Sequence, residues 1–492
     1  MKIFSKQQIQ QADAHTIENE PIASIDLMER ASAEFVNSFA KKFRTAHRVV
    51  VFAGKGNNGG DGLAISRLLL ACDYEVVTYV VNFTEKASED FKENRNHLTQ
   101  IPNASVVDLW DIENLPEIQD TDVVIDAVLG SGLSRPIEGF ARELVFKINN
   151  SLAYKVAVDI PSGLFCDAYN ADEAIIQADY TYTFQMPKYA FLMPESQDYT
   201  GKFEVLDIGL SAEFMELAET FNFFINEASA FSLLKLRNKF DHKGTFGHAL
   251  IIAGTYGKIG AAKMAANACL RSGAGLVSAY VPACGYAPLQ TSLPEVMVMT
   301  DKDQKIWSEP PEAEMFDVYG IGPGLGRESL TLDAFSQLLE SQPKPCVIDA
   351  DGINMMADEP ALQSKIPPHS ILTPHPGEFG RLAGKASNGY ERVEQLRTIS
   401  QKLNSVIVLK GGHSAVGLPN GEVHFNSTGN PGMATGGSGD VLTGLLTGLL
   451  SQGYEADQAA ILGTYVHGLA ADQAACKKGI KGLIASDIIE HL

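Results

Sequence analysis

The chain is 492 residues long, too long for one compact core, and with 45% hydrophobic residues, 20% charged residues and 44 glycines its composition is that of a folded protein, not a disordered one. A formal net charge of -21 argues against nucleic acid or anionic membrane as the main partner, since the average surface repels both. Six scattered cysteines without C-x-x-C spacing suit reduced thiols better than a disulfide frame or zinc site, and the early polar residues and lack of an ~18-residue apolar run leave a cytoplasmic location as the expectation.

Ser5 and Gln8 form a capping-box pair, and Ile9, Ala12 and Thr16 follow at helical spacing, so a helix comes first. A β/α alternation then begins, with strands predicted at 48–53, 75–81, 122–129, 155–160 and 180–185 and a helix over 62–70. Most of these strands are continuous Val/Ile-rich runs, which suit burial on both faces. Residues 211–230 lack the rhythm and read as a connection. The alternation restarts at 249–254 and continues with strands at 317–321, 346–349, 371–373 and 406–410. The expected organisation is α/β in two domains, 1–215 and 231–492, joined by a linker at 216–230, each built on a largely parallel sheet.

Directly after the first strand comes Gly54-Lys55-Gly56-Asn57-Asn58-Gly59-Gly60-Asp61-Gly62, at the sheet edge where open α/β sheets bind ligands. Its G-x-G-x-x-G spacing imitates a dinucleotide fingerprint, but the strand over 75–81 does not end on the acidic residue that would hold a ribose. Lys55 precedes Gly56 where a phosphate-binding Walker loop has Ser or Thr. Turns and an N-cap are alternative uses of the same residues. Two further strand ends favour a site, because Asp126 with Gly130-Ser131-Gly132 and Asp159 with Pro161-Ser162-Gly163 put carboxylates and glycine turns at that same edge.

Together G-K-G-N-N-G-G-D-G-L, D-A-V-L-G-S-G-L, V-D-I-P-S-G and Phe184-Gln185-Met186-Pro187-Lys188 resemble the NAD(P)H-hydrate epimerase domain. The resemblance implies that Asn57, Asn58, Gly59, Gly60 and Asp61 bind a hydrated dinucleotide, with Gly130, Ser131, Gly132, Leu133, Ser134, Arg135, Pro136 and Asp159. It implies a potassium ion (K+) on Asn58, Asp126 and Ser162, whose oxygen donors suit a hard cation. Asp159 is then the candidate for moving a proton at the hydrated nicotinamide carbon, with Lys188 as a supporting charge.

In the second half, Asn430-Pro431-Gly432-Met433-Ala434-Thr435-Gly436-Gly437-Ser438-Gly439-Asp440 runs straight into an apolar helical segment. Closely spaced glycines let backbone N–H groups converge on an anion at the positive end of a helix, which reads as a nucleotide-phosphate site with Asp440 as candidate general base. A tight turn with an acid at a helix N-terminus is the plainer alternative. Gly444 and Gly448 point to close helix packing in a segment too short to span a membrane. Further strand ends carry Gly254 to Ala262, Gly322-Pro323-Gly324-Leu325-Gly326 and Asp349-Ala350-Asp351-Gly352. His375 stands alone, without partners at metal-ligand spacing. Lys410-Gly411-Gly412-His413-Ser414 offers a cation, glycines and a hydroxyl to a nucleotide.

G-P-G-L-G, D-A-D-G-I-N, L-T-P-H-P-G-E-F, L-K-G-G-H-S and G-N-P-G-M-A-T-G-G-S-G-D-V-L-T-G resemble the ADP-dependent NAD(P)H-hydrate dehydratase domain of the ribokinase-like superfamily. His375-x-x-Glu378 departs from the N-x-x-E of many kinases in that superfamily and fits the dehydratase branch. The resemblance implies that Lys410, Gly411, Gly412, His413 and Ser414 bind ADP with Gly436, Gly437, Ser438 and Gly439. Ala261, Gly324, His375 and Asp440 would face the hydrate, Mg2+ would bridge the phosphates, and Glu378 would lie in the outer shell. Asp440 would deprotonate the ring hydroxyl for phosphorylation, so that a phosphate ester leaves where water could not.

The two resemblances imply a bifunctional NAD(P)H-hydrate repair enzyme, with a Rossmann-like doubly wound parallel sheet followed by a ribokinase-like α/β/α sandwich. They imply small-molecule substrates and a homo-oligomer. The alternative is a vitamin-precursor kinase with a non-catalytic N-terminal binding module; Asp126 and Asp159 at strand ends argue for retained chemistry.

Overall fold

The computed structural model describes residues 1–115, 117–170, 174–312, 314–341 and 344–492. The chain divides into two compact units, Lys2–Thr220 and Phe221–Leu492, with Met1 grouped with the second.

The first unit runs α1 (Lys6–Asn19), α2 (Ser24–Lys42), β1 (Arg48–Ala53), α3 (Asn57–Ala71), β2 (Glu75–Val81), α4 (Glu89–Thr99), β3 (Ser105–Leu109), β4 (Val123–Ala127), α5 (Gly139–Asn149), β5 (Tyr154–Val158), β6 (Tyr180–Phe184) and β7 (Lys202–Leu206). Its seven strands are all parallel, in the order β3-β2-β1-β4-β5-β6-β7. Alternate residues of β1 face opposite cores: Val49 and Val51 pack with Phe35 and Phe39 of α2 and Ile65 of α3, whereas Val50 and Phe52 pack with Leu144 and Ile148 of α5. That two-sided burial explains why these strands are unbroken apolar runs. The chain reverses direction across the sheet between β1 and β4, and the loops leaving these neighbours diverge, opening a crevice.

The glycine stretch after β1 is mostly helix, since α3 begins at Asn57. Three of its glycines have packing reasons. A Cβ at Gly54 would overlap the Val128 carbonyl, one at Gly59 the Gly54 carbonyl, and one at Gly62 the Ala127 side chain. Gly56 has open space around it.

The second unit carries β8 (Asn222–Ile225), β9 (His248–Ile252), β10 (Leu276–Val281), β11 (Met297–Thr300), β12 (Val318–Ile321), β13 (Cys346–Ile348), β14 (Ile371–Leu372), β15 (Val406–Leu409), β16 (Ala415–Gly417) and β17 (Val423–Asn426). Their order is β11-β10-β9-β12-β13-β14-β15-β16-β17-β8. Here too the chain reverses beside a central strand, between β9 and β12. The sheet is less uniformly parallel than the sequence rhythm suggests, because β16 is antiparallel to both β15 and β17.

The expected linker at 216–230 is divided: residues 216–220 belong to the first unit, and the rest is a structural part of this one. Phe223, Phe224 and Ile225 form β8, which pairs in parallel with β17, and Ile225 and Ala230 are buried in the core. Four residues flanked by acidic segments are too short a run to show a period.

Among the described residues no helix is long and apolar enough to cross a membrane. The apolar helix Ser438–Ser451 instead packs on Ile259–Arg271: a Cβ at Gly444 would overlap the Ala265 carbonyl, and one at Gly448 the Ser272 hydroxyl. The glycines set how closely the two helices approach.

Candidate functional site

The crevice of the first unit is a cavity of about 740 Å³. It is lined by Gly56, Asn57, Asn58 and Asp61 from the start of α3, Gly130 to Arg135 after β4, Asp159 after β5, Lys188 after β6, and Asp13 of α1. Of the residues singled out in sequence, Gly59, Gly60 and Pro136 do not line it; Gly59 and Gly60 are buried against Gly54 and Met28.

Asp126 lies behind this wall, fully buried at the end of β4. Its carboxylate accepts hydrogen bonds from Ser162 N (2.7 Å), Ser162 Oγ (2.6 Å) and Val128 N (3.3 Å). Burial nevertheless pushes it up to about 6, outweighing the bonds from Ser162 and Val128. Asn58 is also buried, its Nδ2 without a partner among the described residues, and its side chain packs against Gly130. Hydroxyl and carboxylate thus meet behind the glycine turn against which the Asn58 amide packs, a set rich in oxygen.

Asp159 sits in the left-handed region at φ 66°, a backbone state that costs a non-glycine residue about 1 kcal/mol or more. That conformation turns its carboxylate onto donors: Phe184 N at 3.0 Å and the ammonium of buried Lys188 at 2.6 Å. Lys188 also donates to Thr183 Oγ1 at 3.0 Å and the Phe184 carbonyl at 3.2 Å. The lysine is therefore a fixed countercharge.

In the second unit the loops at the carboxyl ends of β9, β12, β13, β14 and β15 are joined into one rim. Gly254 N donates to the Pro323 carbonyl (2.8 Å), Thr373 N to the Ile348 carbonyl (3.1 Å) and Lys410 N to the Pro374 carbonyl (3.0 Å). Gly324, at φ 64°, lies so near Ala261 that an added Cβ would stand 3.2 Å from the alanine methyl. Gly324 lies in the loop after β12 and Ala261 in the first turn of the helix Ile259–Arg271 that follows β9.

Asp440 occupies the first turn of Ser438–Ser451, after Gly437 in the left-handed region at φ 92°. Burial, then the neighbouring Asp349 carboxylate, push it up to about 6, and the Lys410 ammonium opposes them. Lys410 is itself bound to Asp349 at 2.8 Å, and Thr443 Oγ1 donates to the other Asp349 oxygen at 2.9 Å. Gly439 leaves the lysine exposed to the loop; a Cβ there would stand 3.2 Å from Nζ. A base whose proton affinity falls near neutrality, a cation and a helix N-terminus converge, an arrangement able to deprotonate a hydroxyl beside an anion.

His375 and Glu378 make a reciprocal cap on the helix Pro376–Ala383. The His375 Nδ1 accepts from Gly377 N (3.0 Å), and the Glu378 carboxylate accepts from His375 N (2.9 Å). Occupied Nδ1 leaves the proton on Nε2, within 3.4 Å of Glu378 Oε1. His413 is half-buried with Nδ1 2.9 Å from the Asn426 carbonyl, so its ring braces the hairpin, while Gly411 and Gly412 are exposed.

The sequence reading missed three groups. Asp13 lies on a helix far ahead of the glycine motifs. Asp349 appeared as part of a strand-end turn, with no signal that it holds Lys410. His467, on the helix Ala456–Lys478, is buried; burial and the Lys410 charge push it down to about 4, so it stays neutral beside the loop.

Comparisons with known proteins follow the same division. Residues 249–492 match the family model described as NAD(P)H-hydrate dehydratase, and residues 24–190 match that of the YjeF-related protein N-terminus. The chain is similar to the bifunctional NAD(P)H-hydrate repair enzyme Nnr of Moorella thermoacetica, with 35% identity over 96% of this chain and 92% of that one. It is similar to the enzyme of the same name from Coxiella burnetii, with 33% identity over 100% of this chain and 98% of that one. A Bacillus subtilis ADP/ATP-dependent NAD(P)H-hydrate dehydratase, co-crystallised with ATP and Mg2+, matches 55% of this chain and 95% of its own at 30% identity and a TM-score of 0.49.

Proposed function

The chain belongs to the bifunctional NAD(P)H-hydrate repair enzymes, and from that premise we propose how its two sites divide the work. The crevice of Lys2–Thr220 interconverts the two epimers of hydrated NADH or NADPH. The rim of the second unit dehydrates the S hydrate with ADP, giving NAD(P)H, AMP and phosphate. The observation that carries this reading is Asp440, poised near neutrality between Lys410 and the anion loop.

At the second site Asp440 takes the proton of the ring hydroxyl, whose oxygen attacks the terminal phosphoryl group of ADP. Backbone N–H groups of Gly436, Gly437, Ser438 and Gly439 hold that group, and Lys410, Gly411, Gly412 and Ser414 hold the rest of the nucleotide. Loss of phosphate with a ring proton then restores the dihydropyridine. Ala261, Gly324 and His375 shape the hydrate's place. Mg2+ would enter on the nucleotide's phosphates, where it would neutralise charge on the group transferred.

At the first site Asn57, Asn58, Asp61 and Gly130 to Arg135 bind the hydrated dinucleotide, and Asp159, held by the ammonium of Lys188, moves the proton of water at the hydrated carbon. The oxygen-rich set of Asn58, Asp126 and Ser162 fits K+, which would neutralise the buried Asp126 carboxylate and stiffen the glycine turn. In the same reading the chain acts in the cytoplasm as a homo-oligomer.

The test supplies mixed epimers of hydrated NADH with ADP and Mg2+ and follows dihydropyridine absorbance. Both epimers should be consumed; Asp159→Asn should slow only the use of the R epimer. Persistence of both epimers while another alcohol is phosphorylated would establish the kinase alternative instead.

A further inference from the structure

The cavity of the first unit holds more carboxyl groups than the reading above uses. Asp13, Asp61 and Asp159 all line it, with Lys188. Their environments differ sharply. Asp159 has donors from Phe184 and Lys188 on its Oδ1, whereas no described residue donates a hydrogen bond to the carboxyl of Asp13 or of Asp61. Half-buried carboxyl groups in a cavity wall without donors call for a reason.

We propose that Asp13 is the proton donor of the epimerisation, delivering its proton to the departing hydroxyl of the hydrate, while Asp159 accepts a proton from the water that returns. The proposal rests on the epimerase reading and adds the acid which that reading lacks. Protonation by Asp13 lets the ring C–O bond break with loss of water, and the ring nitrogen's lone pair forms a C=N bond. Water then adds to the opposite face as Asp159 takes its proton, and the C=N electrons return to nitrogen. One proton has moved from Asp13 to Asp159, and its return through Asp61 or water resets the site.

The charges support this order. Burial and the Asp159 charge push Asp13 up to about 6, opposed by Lys188. Burial pushes Asp61 well above the usual range, with Asp159, Asp13 and Asp90 adding in the same direction. A carboxyl group whose proton affinity is raised, facing across a common cavity one that is paired to an ammonium, is the pairing that acid and base roles require.

The experiment uses the full chain without ADP, so that dehydration is silent, and separates the two hydrates by chromatography. Asp13→Asn should lower kcat for epimerisation by on the order of 100-fold or more with KM changed little. Asp13→Glu should restore part of the rate. The fall in rate at alkaline pH that marks loss of the acid's proton should be present in the parent, shifted in Asp13→Glu and absent in Asp13→Asn. ADP-dependent dehydration of the S hydrate, unchanged in both variants, certifies the second unit, and the near-ultraviolet circular dichroism of the parent, retained in both, certifies the first. Asp13→Asn with kcat within about 3-fold of the parent, a raised KM alone, or an unaltered alkaline limb would each overturn the proposal. A parent chain that leaves each hydrate untouched would overturn the epimerase reading itself, and the proposal with it.

Discussion

Replacing Asp440 with Asn should make the protein more stable and useless for dehydration at once. In the folded chain burial and the Asp349 charge raise this carboxyl from 3.8 to about 6, so its proton is bound more tightly folded than unfolded. The native state is therefore favoured most below pH 4, and that advantage is lost as pH rises through 6. The full difference corresponds to about 3 kcal/mol at neutral pH, and partial solvent contact reduces it to about 1–2 kcal/mol. An amide carries no charge to desolvate. Urea unfolding of the full chain, read on the transition that ADP shifts, should give Asp440→Asn the higher midpoint at pH 7.5, with the two curves converging as pH approaches 4. The same variant should lose on the order of 100-fold or more in kcat for dehydration. A variant less stable than the parent at pH 7.5, or a stability difference indifferent to pH, would refute the account of Asp440 as a charge held at a cost for chemistry.

Lys410→Met should leave Asp349, 2% exposed, with Thr443 as its remaining side-chain partner, and cost about 3–5 kcal/mol in the same urea experiment. Adding Asp349→Asn should recover much of it, and no recovery would mean the pair is not what the lysine stabilises. Gly444→Ala gains about 1 kcal/mol of helix propensity but pushes a methyl into the Ala265 carbonyl, a cost of about 1–3 kcal/mol or more. Calorimetry should therefore show a lower Tm, and dehydration should slow because the strained helix carries Asp440; an unchanged Tm would contradict the packing argument.

The central strands were legible because burial on both faces leaves a continuous apolar run. β1 and β2 lie where the sequence places them, and β4, β5 and β6 differ by no more than two residues at either end. Edge and hairpin strands were not: β3 exposes most of its residues, and β8 has only four. At the sites, residues inside glycine motifs stood out. The groups that tune them did not, because Asp349 reaches Lys410 across 61 positions and Asp13 reaches its cavity from a helix that carries no motif. Glycine spacing also misled in part. Gly59 and Gly62 are demanded by how closely α3 approaches β1 and β4, and Gly54 by its contact with Val128, steric needs with the same sequence signature as a phosphate loop.

The seam between Ser438–Ser451 and Ile259–Arg271 bears on how relatives of this chain should be read. Gly444 and Gly448 answer to the backbone they touch, whatever reaction occurs nearby, whereas Asp440 at the head of the same helix answers, in the role proposed for it, to chemistry. A descendant released from selection for repair would keep both glycines in order to fold and be free to lose the acid. A sequence carrying the seam without Asp440 is therefore best read as a retired enzyme, and counting its glycines as evidence of activity would misassign it.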